Sequence, residues 1–279
     1  MTKIAFIGLG SMGAPLAQHI AKGGFELSVF DPFPKALEAF EGLATLATSP
    51  ANAAAGVEIA GICVRDDKQV RDVLFGENGL TDALEKGSLV LIHSTISVAV
   101  LKDIAETLAE KGIAVVDAPV SRTKMTTDGP FVYTMMGGDT EQIARAQPLV
   151  DCFSTDSSRM GPLGAGMATK IANNLVTWVQ MVIGIQGTSL ALRSGVEIDQ
   201  LLTVMKSNGN LTPSMGAIIG GKFQAVPNEE RNELFASQGG IGEKDLQLAL
   251  DMAKEQDIDT RMIEQAQLMV RGLMAGPAY

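Results

Sequence analysis

The chain has 279 residues, 46% of them hydrophobic, which is too apolar for wholesale disorder and enough to core two domains. Its formal net charge of −10 argues against nucleic acid or an anionic membrane surface as the main partner. Its only cysteines are Cys63 and Cys152 and its only histidines His19 and His93, so no disulfide framework, CxxC metal site or three-histidine zinc centre is available.

Met1-Thr2-Lys3-Ile4 enters an apolar strand at once, without a signal peptide's charged start and long apolar stretch. The expected compartment is therefore reducing and cytoplasmic. Apolar runs predict strands at residues 4–7, 27–30, 58–64, 89–93, 113–117 and 132–136. Helical patterns at 14–22, 67–74, 98–111 and 140–150 separate most of them, which is the signature of βαβ units and a doubly wound parallel sheet. Gly161-Pro162-Leu163-Gly164-Ala165-Gly166 reads as a hinge, giving an α/β domain of residues 1–161 and an all-α domain of 162–279 that includes a long connecting helix. In the second part helices are expected at 167–192, 198–207, 214–219, 243–255 and 260–273, with loops at Asn208-Gly209-Asn210 and Gln238-Gly239-Gly240. Residues 171–192 carry no charge and could just span a bilayer. Asn173, Asn174, Thr177, Gln180, Gln186, Thr188 and Ser189 interrupt that segment, so it reads as a helix buried in protein or in an oligomer, not in lipid.

Gly8-Leu9-Gly10-Ser11-Met12-Gly13 follows the first strand and opens the first helix, the context in which G-x-G-x-x-G marks a Rossmann dinucleotide site. Gly8 permits the tight turn, Gly10 the approach of a pyrophosphate, and Gly13 close packing of helix on strand. Asp31, at the end of the second strand, stands near the spacing expected of the carboxylate that accepts both adenosine ribose hydroxyls. A 2′-phosphate would meet a like charge there, and Pro32-Phe33-Pro34 offers no arginine, so NAD is favoured over NADP.

Redox chemistry on an alcohol needs a proton acceptor beside the hydride path. His19, in the first helix, and His93, behind the apolar run 89–92, are poorly placed for it. Lys170 and Asn174, one helical turn apart after Gly164 and Gly166, are better candidates. A desolvated lysine has a lowered pKa suited to a proton shuttle near neutrality. Spacing alone balances that reading against a solvated lysine in a first helical turn.

Taken together, Ile7-Gly8-Leu9-Gly10-Ser11-Met12-Gly13, Ser94-Thr95-Ile96-Ser97, Asp117-Ala118-Pro119-Val120-Ser121, Gly166 with Lys170 and Asn173-Asn174, and Lys244-Asp245-Leu246 resemble the β-hydroxyacid dehydrogenase family. That family includes 3-hydroxyisobutyrate, tartronate semialdehyde and 6-phosphogluconate enzymes, and the similarity runs nearly end to end. Asp31-Pro32-Phe33-Pro34-Lys35-Ala36 resembles its NAD-using hydroxyisobutyrate branch. The resemblance implies that Lys170 is the catalytic acid/base, that Asn174 orients the substrate, and that Ser121 with nearby N–H groups holds its carboxylate. It also implies that Thr95 contacts the cofactor near the nicotinamide and that Lys244, supported by Asp245, reaches the cofactor from the helical domain. The implied activity is NAD-dependent hydride transfer to or from a small β-hydroxy acid or its semialdehyde, and the helical half suggests a homodimer or homotetramer.

The chain departs from the family at two places. Arg122 and Thr123 replace the two glycines that usually follow the serine. Arg122 either turns the substrate site toward a different, larger or second anionic group or points to solvent and contributes only its N–H. Cys63-Val64-Arg65-Asp66-Asp67 replaces a leucine-proline loop that lies by the adenosine, with Val64 the expected cofactor contact there. Trp178 reads as a core or interface aromatic. Two other functions fit the scaffold. An imine or atypical carbonyl reductase is disfavoured because Lys170 is retained, and a non-catalytic NAD-binding regulator because the Lys170–Asn174 pair is intact.

Overall fold

A computed structural model describes residues 1–225 and 228–276. The chain divides into two compact units, residues 1–170 and residues 171 onward. The division falls inside the long helix, later than the 161/162 boundary read from the sequence, because the helix begins bonded to the first unit's sheet.

That sheet has nine strands. They are β1 (Lys3–Ile7), β2 (Glu26–Phe30), β3 (Thr45–Leu46), β4 (Ile59–Ile62), β5 (Leu89–Ile92), β6 (Ala114–Asp117), β7 (Val120–Arg122), β8 (Val132–Gly137) and β9 (Ser154–Gly161). Their order is β3-β2-β1-β4-β5-β6-β8-β7, with β9 also paired to β8. From β3 to β6 every pairing is parallel. The central strands β4 and β5 are buried at every residue, as uninterrupted apolar runs in a parallel sheet covered on both faces should be. The covering helices include α1 (Gly13–Lys22), α2 (Pro34–Leu37), α3 (Pro50–Ala54), α4 (Asp67–Phe75), α5 (Val98–Glu110) and α6 (Thr140–Val150). The core gathers Phe6, Phe40, Phe131 and Phe153 with aliphatic side chains from strands and helices.

Beyond β6 the sheet is mixed. β8 runs antiparallel to β6 and β7 and parallel to β9. Apolar periodicity misses β9 because it reads Ser-Thr-Asp-Ser-Ser-Arg-Met-Gly, a polar strand with no fully buried residue. Its pairing is reinforced by side chains, Tyr133 donating to Ser158 Oγ at 2.6 Å and Thr134 bonding Ser154 at 2.6 Å.

His93, just after β5, is only 3% exposed. Its Nδ1–H donates to the Ala118 carbonyl at 2.8 Å, and Nε2 has no partner among the described residues. Burial pushes its pKa down to about 4, against an ordinary value near 6.5. Above pH 6.5 the imidazole is neutral in both folded and unfolded chains. As pH falls from there toward 4 the unfolded chain takes up a proton that the folded chain refuses, so stability falls with pH across that window. The expected loss is about 3 kcal/mol, read as denaturant midpoints against pH. His93→Phe should flatten that part of the curve; an unchanged slope would contradict the assignment.

The helices of the second part are α7 (Ala165–Arg193), α8 (Ile198–Ser207), α9 (Pro213–Ile219), α10 (Glu229–Glu255) and α11 (Arg261–Ala275). By length and composition α7 could cross a bilayer. Its Thr169, Thr177 and Thr188 hydroxyls are satisfied within the helix, donating to the Ala165, Asn173 and Gly184 carbonyls. Gln238-Gly239-Gly240, read above as a loop, lies inside α10, which starts well before residue 243. Gly239 and, just beyond the triplet, Gly242 serve packing, not turning. A β-carbon on Gly242 would stand 2.8 Å from Trp178 and from Val270, and one on Gly239 3.2 Å from Met274.

Candidate functional site

In the first unit the functional loops leave the C-terminal ends of β1, β4 and β5. β2 and β4 flank β1 on opposite sides, so the chain changes direction at β1/β4, where doubly wound sheets bind nucleotides. Gly8 has φ +95°, and a β-carbon on it would sit 2.3 Å from the Cys63 carbonyl oxygen. A β-carbon on Gly13 would lie 2.0 Å from the Gly8 carbonyl oxygen, so strand, turn and helix touch backbone to backbone. Among the described residues no protein atom stands within 4 Å of the corresponding point on Gly10. Leu9 is buried, whereas Gly10 and Ser11 are exposed. No side chain caps α1 at Met12, and its first turn carries no acidic residue. Its leading N–H groups and its dipole therefore suit a phosphate.

Asp31 is 9% exposed and braces this loop. Its Oδ2 accepts the Leu9 N–H at 2.7 Å and its Oδ1 the Phe33 N–H at 2.9 Å. A carboxylate oxygen has a second lone pair, so ribose hydroxyls remain possible partners. Val64 packs toward Gly8, and its N–H donates to Ser94 Oγ at 2.8 Å, which ties the β4 loop to the β5 loop that carries Thr95. The Ser97 N–H adds a second tie, to Asp67 Oδ1 at 3.2 Å. Burial pushes the Cys63 thiol up to about 12, so it packs behind the glycine loop as an uncharged group.

Ser121 and Lys170 meet. Lys170 Nζ donates to Ser121 Oγ at 2.9 Å. Lys170 is half-buried, between the desolvated and the solvated lysine that its spacing left open. Neighbouring residues of β7 face opposite ways, which separates Arg122 from Ser121. Arg122 lays its guanidinium over the Phe131 ring, 5.2 Å from the centroid, and donates to the Met125 carbonyl at 3.2 Å. The Thr123 N–H and hydroxyl both donate to the Phe131 carbonyl, at 2.8 and 3.0 Å. His19 bonds the Thr127 carbonyl at 3.1 Å through Nε2, fastening the same hairpin loop to α1.

The second unit holds its own cluster. Asp245, 4% exposed, accepts Asn174 Nδ2 at 2.7 Å and the Trp178 indole N–H at 3.1 Å, both on Oδ2. Lys244 Nζ lies 3.1 Å from its Oδ1. Because an ionised carboxylate only accepts, Asn174 must present its NH₂ to Asp245, and its carbonyl end is then left as an acceptor. Trp178, read from the sequence as a core or interface aromatic, is 7% exposed and also polar-anchored. That role has no local signal, because its partner is 67 residues away.

Residues 3–178 match the family described as the NAD binding domain of 6-phosphogluconate dehydrogenase. Residues 164–277 match the family described as the NAD-binding domain of NADP-dependent 3-hydroxyisobutyrate dehydrogenase. An uncharacterised oxidoreductase of Mycobacterium tuberculosis is 34% identical over 277 residues, covering 98% of this chain and 92% of its own. Human mitochondrial 3-hydroxyisobutyrate dehydrogenase is 30% identical over 259 residues, covering 90% and 76%. Among solved structures, Mycobacterium tuberculosis 3-hydroxyisobutyrate dehydrogenase with L-serine is similar at a TM-score of 0.81 and 25% identity, covering 100% of this chain and 95% of that one.

Proposed function

Since the chain belongs to the 3-hydroxyisobutyrate dehydrogenase-like β-hydroxyacid dehydrogenases and is a nicotinamide-dependent oxidoreductase, we propose that it transfers a hydride between NAD and a small β-hydroxy acid or its semialdehyde. The observation that carries this reading is the 2.9 Å bond from Lys170 Nζ to Ser121 Oγ. It joins a proton-transfer group to a hydroxyl that still has its own proton to donate to a carboxylate.

The uncapped α1 N-terminus, the open approach to Gly10 and the Asp31 carboxylate fit a dinucleotide, with Gly8–Gly13 under the pyrophosphate and Val64 and Thr95 as further contacts. Bound nicotinamide supplies the hydride acceptor in oxidation and the hydride donor in reduction. In oxidation neutral Lys170 takes the substrate hydroxyl proton, and in reduction its ammonium returns a proton to the developing alkoxide. Ser121, with the Arg122 and Thr123 segment beside it, receives the carboxylate. Asn174, its amide oriented by Asp245, accepts from the substrate hydroxyl or from the lysine ammonium.

Arg122 is engaged with Phe131 and Met125, which supports a site for one carboxylate over one for a dicarboxylate. Asp31 supports NAD over NADP, since a 2′-phosphate would add a second negative charge beside it. The test is a panel of 3-hydroxyisobutyrate, glycerate, serine, threonate and hydroxy-dicarboxylates with either nucleotide, followed by nicotinamide absorbance. Turnover should favour a monocarboxylate with NAD by about tenfold or more, a difference of about 1.4 kcal/mol. Absence of turnover across the panel, or a clear NADP preference, would contradict the proposal.

We further propose that the protein works as a dimer or a larger homo-oligomer. Val176, Ile183 and Leu190 of α7 are 55%, 58% and 71% exposed. They recur every seventh residue, so they form one apolar stripe along the helix. A solution mass of at least two chains by light scattering is expected, and a strict monomer would refute this.

A further inference from the structure

We propose that Asp117 is a positioning residue that sets Lys170 onto Ser121. The inference rests on the reading of Lys170 as the acid/base. Asp117 ends β6, is fully buried, and accepts the Gly164 N–H on Oδ1 at 2.8 Å and the Met167 N–H on Oδ2 at 2.6 Å. Gly164 immediately precedes α7 and Met167 lies in its first turn, so the carboxylate takes up N–H groups that the helix itself cannot satisfy. Burial pushes the Asp117 carboxyl up, while these N–H groups pull it back toward the ionised form.

The seat is close-fitting on every side. A β-carbon on Gly137 would stand 2.4 Å from Asp117 Oδ1, and one on Gly166 2.8 Å from Oδ2 and 2.4 Å from the Met135 carbonyl oxygen. A further tie runs from the Ile96 N–H to Met167 Sδ at 3.4 Å, fixing the same helical turn to the loop of Thr95.

Two short lengths of chain leave this carboxylate. One runs Asp117-Ala118-Pro119-Val120-Ser121 into β7, and the other runs from Met167 through one helical turn to Lys170. They end at the two partners of the 2.9 Å bond. Both the azimuth of α7 and the start of β7 are thus referred to one buried anion. A rotation of α7 about its axis swings the lysine off the serine before it disturbs the glycine loop, which leaves β1, three strands away from β6 in the sheet. Asp117 therefore governs the proton-transfer geometry and leaves the glycine loop's hold on the pyrophosphate alone.

The experiment compares Asp117→Asn, of nearly equal size but uncharged, with Lys170→Ala. It uses the best hydroxy acid of the panel and measures kcat, KM, NADH affinity by fluorescence and the thermal midpoint. Asp117→Asn is expected to lower kcat at least tenfold, with KM and NADH affinity within threefold of the parent. Should that variant not fold, Gly166→Ala, which keeps the charge and displaces its seat, is expected to show the same split. A kcat within twofold of the parent, or a parallel loss of kcat and NADH affinity, overturns the inference while Lys170→Ala is inactive. Retained turnover in Lys170→Ala overturns the reading of Lys170 itself, and the positioning role with it.

Discussion

Replacing Lys170 by alanine is expected to lower kcat about 1,000-fold, within the range that a positioned acid/base contributes, equivalent to about 4 kcal/mol of transition-state stabilisation. The side chain is half-buried and bonded to Ser121, so its loss removes a proton carrier and frees the serine hydroxyl, but it removes no part of the glycine loop. NADH affinity should therefore stay within about threefold of the parent, a change below 1 kcal/mol. Lys170→Arg should not restore activity, because a guanidinium stays protonated at any working pH and cannot take the hydroxyl proton. Steady-state rates and fluorescence titration of NADH make the measurement. A loss of kcat below about tenfold would move the proton to another group.

The second large effect separates two glycines of one motif. Gly13→Ala places a methyl group 2.0 Å from the Gly8 carbonyl oxygen, a backbone atom that cannot turn away. Stability should fall by about 3 kcal/mol, the upper part of the usual cost of overpacking. Gly10→Ala meets no protein atom within 4 Å among the described residues, so the fold should tolerate it. Its methyl group stands where the pyrophosphate must approach the backbone, so NADH affinity should fall by about tenfold or more while the thermal midpoint stays near that of the parent. If Gly10→Ala bound NADH normally, the phosphate would lie elsewhere.

What could be read in advance follows from how local each signal is. The glycine loop, the strand-end position of Asp31 and the strands β1, β2, β4, β5, β6 and β8 are legible because turn chemistry, strand-end position and apolar runs sit within a few residues of one another. Lys170 stood out by its place one helical turn before Asn174, after Gly164 and Gly166, and the family resemblance supplied its role. The Ser121 bond needed the fold, since 49 residues separate the partners. β9 escaped because its pairing depends on β8 and on hydroxyl bonds, not on apolar alternation. Gly239 misled because a glycine that lets Met274 and the Arg271 backbone come close has the same letter as a glycine in a turn. Arg122 was open between a second anion site and solvent. Its actual place over Phe131 depends on the alternation of β7, which a three-residue strand does not advertise.

A crystal structure of the ternary complex with NAD and the preferred hydroxy acid tests the central claim most directly. The account predicts Lys170 Nζ at hydrogen-bonding distance, about 3 Å, from the substrate hydroxyl, with the carboxylate on Ser121 Oγ. A hydroxyl bonded to some other acid or base, with the lysine turned into solvent, would contradict it.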